Sequence, residues 1–450
     1  MSMSIGGIVS GLNTDDIIES LMKIESIPKN QIVTKKSSTE TFISALTALN
    51  VKLGSMAEQA GKVAKGASFD VWKGTSTDSS VSVTTAEGAT ATTLEFSVDK
   101  LATGKSTLSG ALSDASTLLT DGEFTFTTGT GEDMKTFSVT PDSQSLEDLV
   151  SSINGLKDSG VKATIIKTEV GQRLQLTSTT TGAKEGTFAI SSGSGETGFQ
   201  TMRQAGDAQI TLWPSLGLDG TQVTSASNTF SNVVNGVNIT VSKVTSDAVT
   251  VDVNRDTAAI TKLGTDLVSQ VNQVLSEIAS RSSVTSSTDD DGNPVTTGGI
   301  FTGDTTTRSI VTGLTEAIMH PVNGKSPATI GISLGNDGQL TFDAEKFAKA
   351  WQSDPAGTQE FLSELGSRVE NVGKSYSDTY EGSLTLRVKS QEALVVEYGK
   401  QIAQWDLRLE QRRASLVATY TAMEVALSSL QSQGTSLTSA LSSLTSSSSN

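Results

Sequence analysis

Apolar residues recur at every seventh position near the end of the chain. Nine form this stripe without a break: Val388, Val395, Ile402, Leu409, Leu416, Met423, Leu430, Leu437 and Leu444. A strict seven-residue repeat keeps an apolar stripe on one side of an α-helix only if the helix supercoils against a partner. The pattern therefore predicts one long helix that packs against another helix, either in a second chain or folded back on its own domain.

The start of the chain carries a second helical pattern. Apolar residues from Phe42 to Val63 alternate in spacings of four and three, as expected of a helix with one narrow buried face. A shorter amphipathic helix precedes it, with Asn13 or Thr14 as N-cap. We predict that the apolar faces of both ends form an assembly interface that includes Ile17, Ile18, Leu21, Val395, Ile402, Leu409, Leu416, Met423 and Leu430.

The middle of the chain has a different pattern. From about residue 75 to 255, apolar residues alternate with Ser and Thr, for example at Leu94, Phe96 and Val98, and turn residues separate the runs. This predicts antiparallel strands with one buried face, interrupted by a short helix after Ser145. Helical periodicity returns after residue 255, followed by a predicted loop at Ser282–Gly299 and a small α+β segment.

These patterns predict a nested multidomain α+β fold. Terminal coiled-coil helices occupy residues 1–40 and 400–450, and a helical α+β domain occupies 41–75 and 255–399. Two antiparallel β domains are inserted between them. The first comprises residues 76–117 and 201–254, and the outer one comprises residues 118–200.

Composition excludes several classes of function. The 450 residues include 49 acidic and 33 basic ones, for a net charge of −16, with no basic cluster typical of nucleic-acid binding. The chain has no cysteine and a single histidine, His320. Two Asp-rich segments at 252–256 and 289–293 lack the closing Glu of a calcium loop. We therefore expect no catalytic residues, no cofactor and no metal site.

The sequence predicts neither a membrane-spanning segment nor a cleaved secretory signal. No apolar run approaches the roughly 18 residues that would span a membrane, so no membrane insertion is expected. The first residues, MSMSIGGIVSGLNTDD, have neither the basic nor the apolar region of a cleaved secretory signal. The protein is therefore expected either to remain inside the cell or to leave it by another route.

Specific motifs resemble one family. The opening segment Gly6–Met22, the segment Ser227–Val253 and the segment Tyr420–Glu424 resemble the bacterial flagellar filament cap protein family, also called hook-associated protein 2. The segment Phe124–Ile190 resembles the outer inserted domain of this family and of some flagellins. The likeness covers both ends well and the middle more loosely.

The resemblance implies a structural role. Such a protein would be exported through the flagellar channel without a cleaved signal peptide, would form a ring-like homo-oligomer at the extracellular filament tip, and would promote folding and polymerisation of flagellin. Implied partners are further copies of the chain, flagellin, the hook–filament junction proteins and an export chaperone at the C-terminal helix. A secondary role in adhesion is also an expectation. Three alternatives remain at this stage: a secreted adhesin or glycan-binding protein, a secreted hydrolase, and flagellin itself.

Overall fold

The computed structural model describes residues 13–193, 198–218 and 221–447, which form two compact units. The chain leaves the first unit after Gly66 and returns to it after Ile260. The first unit is mainly helical, and the inserted unit is built mainly from antiparallel strands. This confirms the predicted fold class, a multidomain α+β protein with terminal helices and inserted β structure. The finer division into four domains remains a prediction.

The helices of the described residues are α1 (Thr14–Glu25), α2 (Ile27–Ala64), α3 (Leu146–Gly155), α4 (Thr257–Ser282), α5 (Thr305–Met319), α6 (Ala344–Ser353), α7 (Pro355–Ser377) and α8 (Ser383–Ser447). All except α3 and the first turn of α4 belong to the helical unit.

The strands are β1 (Trp72–Ser76), β2 (Val81–Thr85), β3 (Thr92–Lys100), β4 (Ser106–Ser109), β5 (Phe124–Thr128), β6 (Lys135–Val139), β7 (Val161–Thr168), β8 (Gly171–Ser178), β9 (Phe188–Ile190), β10 (Phe199–Arg203), β11 (Ala208–Leu212), β12 (Gln222–Ser225), β13 (Thr229–Val234), β14 (Val237–Val241), β15 (Val249–Arg255), β16 (Val284–Thr288), β17 (Pro294–Gly298), β18 (Ile332–Leu334) and β19 (Leu340–Phe342).

The core of the helical unit is centred on α2, which packs against α7 and α8. The buried face of α2 carries Leu46, Leu49, Leu53, Met56, Ala60 and Val63, the residues that the sequence pattern predicted. Helices α2 and α7 approach closely at Gly366, where an added Cβ would lie 2.8 Å from a backbone nitrogen of α2. Only glycine leaves room for this packing distance.

Side-chain caps determine where most of these helices begin. Asn13 caps α1, as one of the two predicted alternatives, and Asp304, Asp343 and Asp354 cap α5, α6 and α7. Each side-chain oxygen accepts a hydrogen bond from a backbone N–H of the first helical turn, which would otherwise have no partner within the helix.

The β unit contains two separate hydrophobic cores. The first lies between a five-stranded sheet, ordered β1-β15-β3-β11-β12, and a three-stranded sheet, ordered β13-β14-β2. The second lies among the sheets β10-β4-β8-β7 and β6-β5-β9 and helix α3, whose N-cap is Ser145, as predicted. Alternation in the sequence correctly marked the inward-facing residues of both, including Phe96 and Leu174.

The structure corrects the predicted loop at Ser282–Gly299. This segment forms a hairpin in which β16 pairs antiparallel with β17. Its strands are mostly Ser and Thr, so the alternation of apolar and polar residues that marks a half-buried strand is absent. Backbone hydrogen bonds pair the two strands, and every residue of both strands is exposed.

Candidate assembly interface

Helix α8 runs antiparallel to α1 and α2 of the same chain. Near its start, the Thr385 hydroxyl accepts a 3.1 Å hydrogen bond from Asn50 Nδ2. Further along, Asp406 pairs with Lys29 at 2.5 Å, and Arg412 donates to Glu25 Oε1 at 3.2 Å. Because the partners move toward the N-terminus as α8 proceeds, the long helix folds back along the N-terminal helices. This is one of the two arrangements that the sequence left open.

Burial along the apolar stripe of α8 follows this pairing. Five of the predicted interface residues are half-buried: Val395, Ile402, Leu409, Leu416 and Met423. The sixth, Leu430, is 63% exposed, and Leu437 is 65% exposed. The side chain of Leu444, the last residue of the repeat, lies outside the described residues. The stripe is thus partly covered within the chain only as far as about residue 424.

The three predicted residues of α1 differ in burial. Ile18 is buried, Ile17 is half-buried, and Leu21 is exposed. Helix α1 packs mainly against α8 and touches the start of α2. The structure therefore brings the N-terminal and C-terminal candidates together. Their assignment to an interface between subunits remains a prediction.

The last described turns of α8 expose several apolar side chains to solvent. Every residue from 425 to 442 is exposed, including Val425, Leu430, Leu437 and Leu441. At about 1.5 Å per residue, the stretch from 425 to 447 extends on the order of 35 Å. A helical surface of this kind favours association, because apolar side chains gain free energy when they leave water.

A polar cluster that the sequence did not reveal fixes the beginning of α8. The Arg387 guanidinium makes a bidentate pair with the Asp304 carboxylate, in which Nη1 lies 3.0 Å from Oδ1. Arg387 also lies 5.1 Å from the centre of the Phe42 ring, which packs edge-on against Phe301. These contacts join α2, α5 and α8. Local sequence patterns cannot predict this pair, because its two residues lie 83 positions apart in sequence.

The surroundings of Asp304 favour its charged form. Burial opposes its ionisation, but hydrogen bonds from Arg387 and from the Thr307 backbone N–H outweigh burial and lower the pKa of Asp304. A similar cluster joins α2 to α4, where Glu277 accepts hydrogen bonds from Lys52 at 2.6 Å and from Arg281. These bonds lower the pKa of Glu277. Both carboxylates serve structural contacts between helices.

The ligating and apolar groups of the described residues form neither a metal cluster nor a membrane span. Within residues 13–193, 198–218 and 221–447, no group of three or more His, Asp or Glu side chains is placed to hold a metal ion. None of the helices in these ranges has a stretch long and apolar enough to cross a bilayer. His320 ends α5, and its carbonyl oxygen accepts a hydrogen bond from Arg368.

Three protein-family models match the chain. The model described as flagellar hook-associated protein 2 C-terminus matches residues 205–432, which is just over half of the chain. The model for the N-terminus of the same family matches residues 10–105. A third, described as the flagellin hook IN motif, matches residues 123–180, in the second core of the β unit.

Full-length relatives carry the same family name. The B-type flagellar hook-associated protein 2 of Pseudomonas aeruginosa is 27% identical over 98% of both chains. The flagellar hook-associated protein 2 of Escherichia coli is 25% identical over 79% of both chains. A crystal structure of the D1-D2-D3 domains of the flagellar cap protein FliD from Escherichia coli superposes with a TM-score of 0.59 and 23% identity. That likeness, which covers 77% of this chain and 99% of the other, supports the fold. Together with the family models that span the helical and β units, these matches show that the chain belongs to the flagellar hook-associated protein 2 family.

Proposed function

We propose that this protein caps the distal end of the bacterial flagellar filament as a homo-oligomer and promotes the folding and polymerisation of flagellin. Family membership supports a role in the flagellum. The observation that carries the proposal for this chain is the exposed apolar stripe at the end of α8. An exposed apolar surface of this kind favours binding to another protein. A cap would use such a surface to bind neighbouring cap subunits and the filament end.

The two halves of the stripe suggest two roles. From Val388 to Met423, the half-buried residues stabilise the subunit against its own α1 and α2, with edges left accessible. From Val425 onward, the exposed residues are available to neighbouring copies or to the helical filament end. Full burial of one such Leu contributes roughly 1.5–3 kcal/mol, so several of them buried together can offset much of the entropic cost of association.

Promotion of flagellin polymerisation would require no bond chemistry in this proposal. The β unit has two cores of its own and largely polar outer strand positions, so it suits a rigid shield over a site where the next flagellin subunit folds. The same exposed end of α8 is the proposed site for the export chaperone before secretion. After export without a cleaved signal peptide, the partners would be flagellin and the hook–filament junction proteins.

Electron microscopy of filaments provides the test. Cells that lack the gene should secrete unpolymerised flagellin and carry few filaments, and the intact gene should restore them. A gene that lacks residues 1–22 should fail to restore growth, because this deletion removes the α1 face formed by Ile17, Ile18 and Leu21. Normal filaments from that deletion would refute the anchoring role of α1. Normal filaments from cells that lack the gene would refute the proposed capping function.

A secondary role in adhesion is also proposed, on one observation. Trp213, which follows β11, is 41% exposed and adopts a left-handed backbone conformation with φ of +48°. Leu216 and Leu218 are exposed in the same segment. Such strain is uncommon for a bulky residue and is often found at functional sites. A Trp213→Ala variant should then bind host-cell surfaces more weakly than the intact protein, and equal binding would remove this role.

A further inference from the structure

The hairpin formed by β16 and β17 is an unusual element of the helical unit. Both strands are exposed on both faces, and Val284 and Val295 remain 56% and 40% exposed. An isolated two-stranded hairpin is only marginally stable in water. Its two open edges and exposed valines suit contact with another protein.

The turn of this hairpin carries three consecutive aspartates. Asp289 organises the turn, since its Oδ1 accepts hydrogen bonds from the backbone N–H groups of Asp291 and Asn293 at 3.1 and 2.7 Å. Asp290 and Asp291 are exposed, and among the described residues neither forms an ion pair. The tip therefore presents two carboxylates to a partner.

A groove of opposite charge lies elsewhere in the same unit. It has a volume of about 600 Å³ and is lined by buried apolar side chains, including Ile330 and Phe361, and by three exposed lysines: Lys325, Lys346 and Lys349. None of these lysines forms an ion pair within the described ranges, although most lysines of this helical unit do. The one carboxylate of the lining, Asp354, accepts a 2.9 Å hydrogen bond from the Gly357 backbone N–H. In a chain of net charge −16, such a cluster is a distinct feature.

Hairpin and groove lie at opposite ends of helix α5. The hairpin precedes the start of α5 at Thr305, and the groove includes the segment that follows its end at Met319. At about 1.5 Å per residue, α5 separates them by on the order of 22 Å. Two complementary surfaces at separate places on one subunit form a head-to-tail contact, which closes into a ring when the rotation permits.

We infer that the acidic hairpin tip of one subunit docks into the lysine groove of the next copy, with Val295 against the apolar lining. The inference rests on the proposed homo-oligomer and names a contact that would build it. It is independent of the α8 stripe. Because the contact is ionic and exposed at its edge, it should weaken as salt concentration rises.

Charge reversal in the full-length protein, followed by sedimentation velocity, tests this contact. The variant Asp290→Lys with Asp291→Lys should raise the apparent dissociation constant of the oligomer at least about tenfold, and Lys346→Glu with Lys349→Glu should do the same. The four substitutions together should restore assembly. Thermal unfolding of the dissociated monomer should not change, because all four side chains are exposed.

A matched control reverses two acidic residues in the β unit. Glu132→Lys with Asp133→Lys makes the same change in net charge on another exposed loop and should leave assembly unchanged. If the tip variant sediments like the intact protein, or if the combined variant fails to reassemble, this contact is refuted and the homo-oligomer stands. If the intact protein remains a monomer at every concentration, the proposed homo-oligomer itself fails, and this contact with it.

Discussion

The pair between Asp304 and Arg387 should control how firmly α8 is held to its own subunit. The substitution Asp304→Asn keeps a side-chain oxygen at the N-cap of α5 but removes the charge that faces Arg387. Asn and Asp cap helices about equally well, so the cap itself should survive. The variant therefore isolates the ionic contribution.

The burial of the two side chains determines how much unfolding free energy Asp304→Asn should lose. Removal of one partner from a buried ion pair costs about 3–5 kcal/mol, because the other charge is left buried without compensation. The Asp304 side chain is 10% exposed but that of Arg387 is 29% exposed, so water can solvate the remaining guanidinium in part. We expect a loss of about 2–3 kcal/mol in the free energy of unfolding of the helical unit. For a unit of this size, that corresponds to a decrease in Tm of about 4–12 °C.

Thermal unfolding followed by circular dichroism provides the assay, repeated as a function of pH. Since the pKa of Asp304 is lowered in the folded state, the pair stabilises the protein above the ordinary aspartate pKa of about 3.9. That stabilisation is lost as pH falls through the lowered pKa. The difference in Tm between the intact protein and Asp304→Asn should therefore be largest at pH 7 and should shrink below about pH 4.

Asp343→Asn is the matched control. Asp343 caps α6 through a 2.9 Å bond from the Lys346 backbone N–H, and it has no ion pair within the described residues. This variant should lower Tm by less than about 2 °C, since the change at the cap is worth only a few tenths of a kcal/mol. Equal Tm values for Asp304→Asn and Asp343→Asn at pH 7 would show that the Arg387 pair contributes nothing to stability.

Three further predictions concern the stripe, the helix crossing and the β insertion. Leu430→Asp should weaken self-association in sedimentation without a change in monomer Tm. Leu409→Asp should weaken self-association and also lower the monomer Tm. An unchanged oligomer in Leu430→Asp would contradict the proposed interface. Gly366→Ala should be less stable than Gly399→Ala by about 1–3 kcal/mol in chemical unfolding, because both gain helix propensity but only the first meets the backbone of α2; equal stabilities would contradict the close crossing. Deletion of residues 118–200 should leave partial filament growth in complementation, because the inserted segment has its own core; complete loss of growth would show that this segment is essential.

The sequence predicted those features that periodicity can encode. The seven-residue stripe of α8, the buried face of α2 and the alternating strands of the β unit all appear where the pattern placed them. The helix that begins after Ser145 was also predicted, because a Ser side-chain oxygen can accept a hydrogen bond from a backbone N–H of the first helical turn. These are local consequences of helix and strand geometry.

Features that depend on distant residues escaped prediction. The in-chain partner of α8 could not be chosen from the stripe alone, because a seven-residue repeat specifies a partner helix but not its chain. The Arg387 pair and the Lys52 pair each join segments that are close only after folding. The hairpin β16–β17 lacks apolar alternation, so its strands resemble a polar loop in sequence.

The distribution of burial along α8 connects stability to assembly. The first part of the helix is fixed by Asp304 and Arg387 and by ionic contacts to α1 and α2, so its position does not depend on partners. The last part has apolar residues in the same register but no described cover, as at Leu437. A rigid base with an exposed apolar end can present its stripe in a defined direction at low entropic cost, whereas a wholly disordered terminus would have to order on binding. This arrangement favours a subunit that can bind a partner without refolding its helical core.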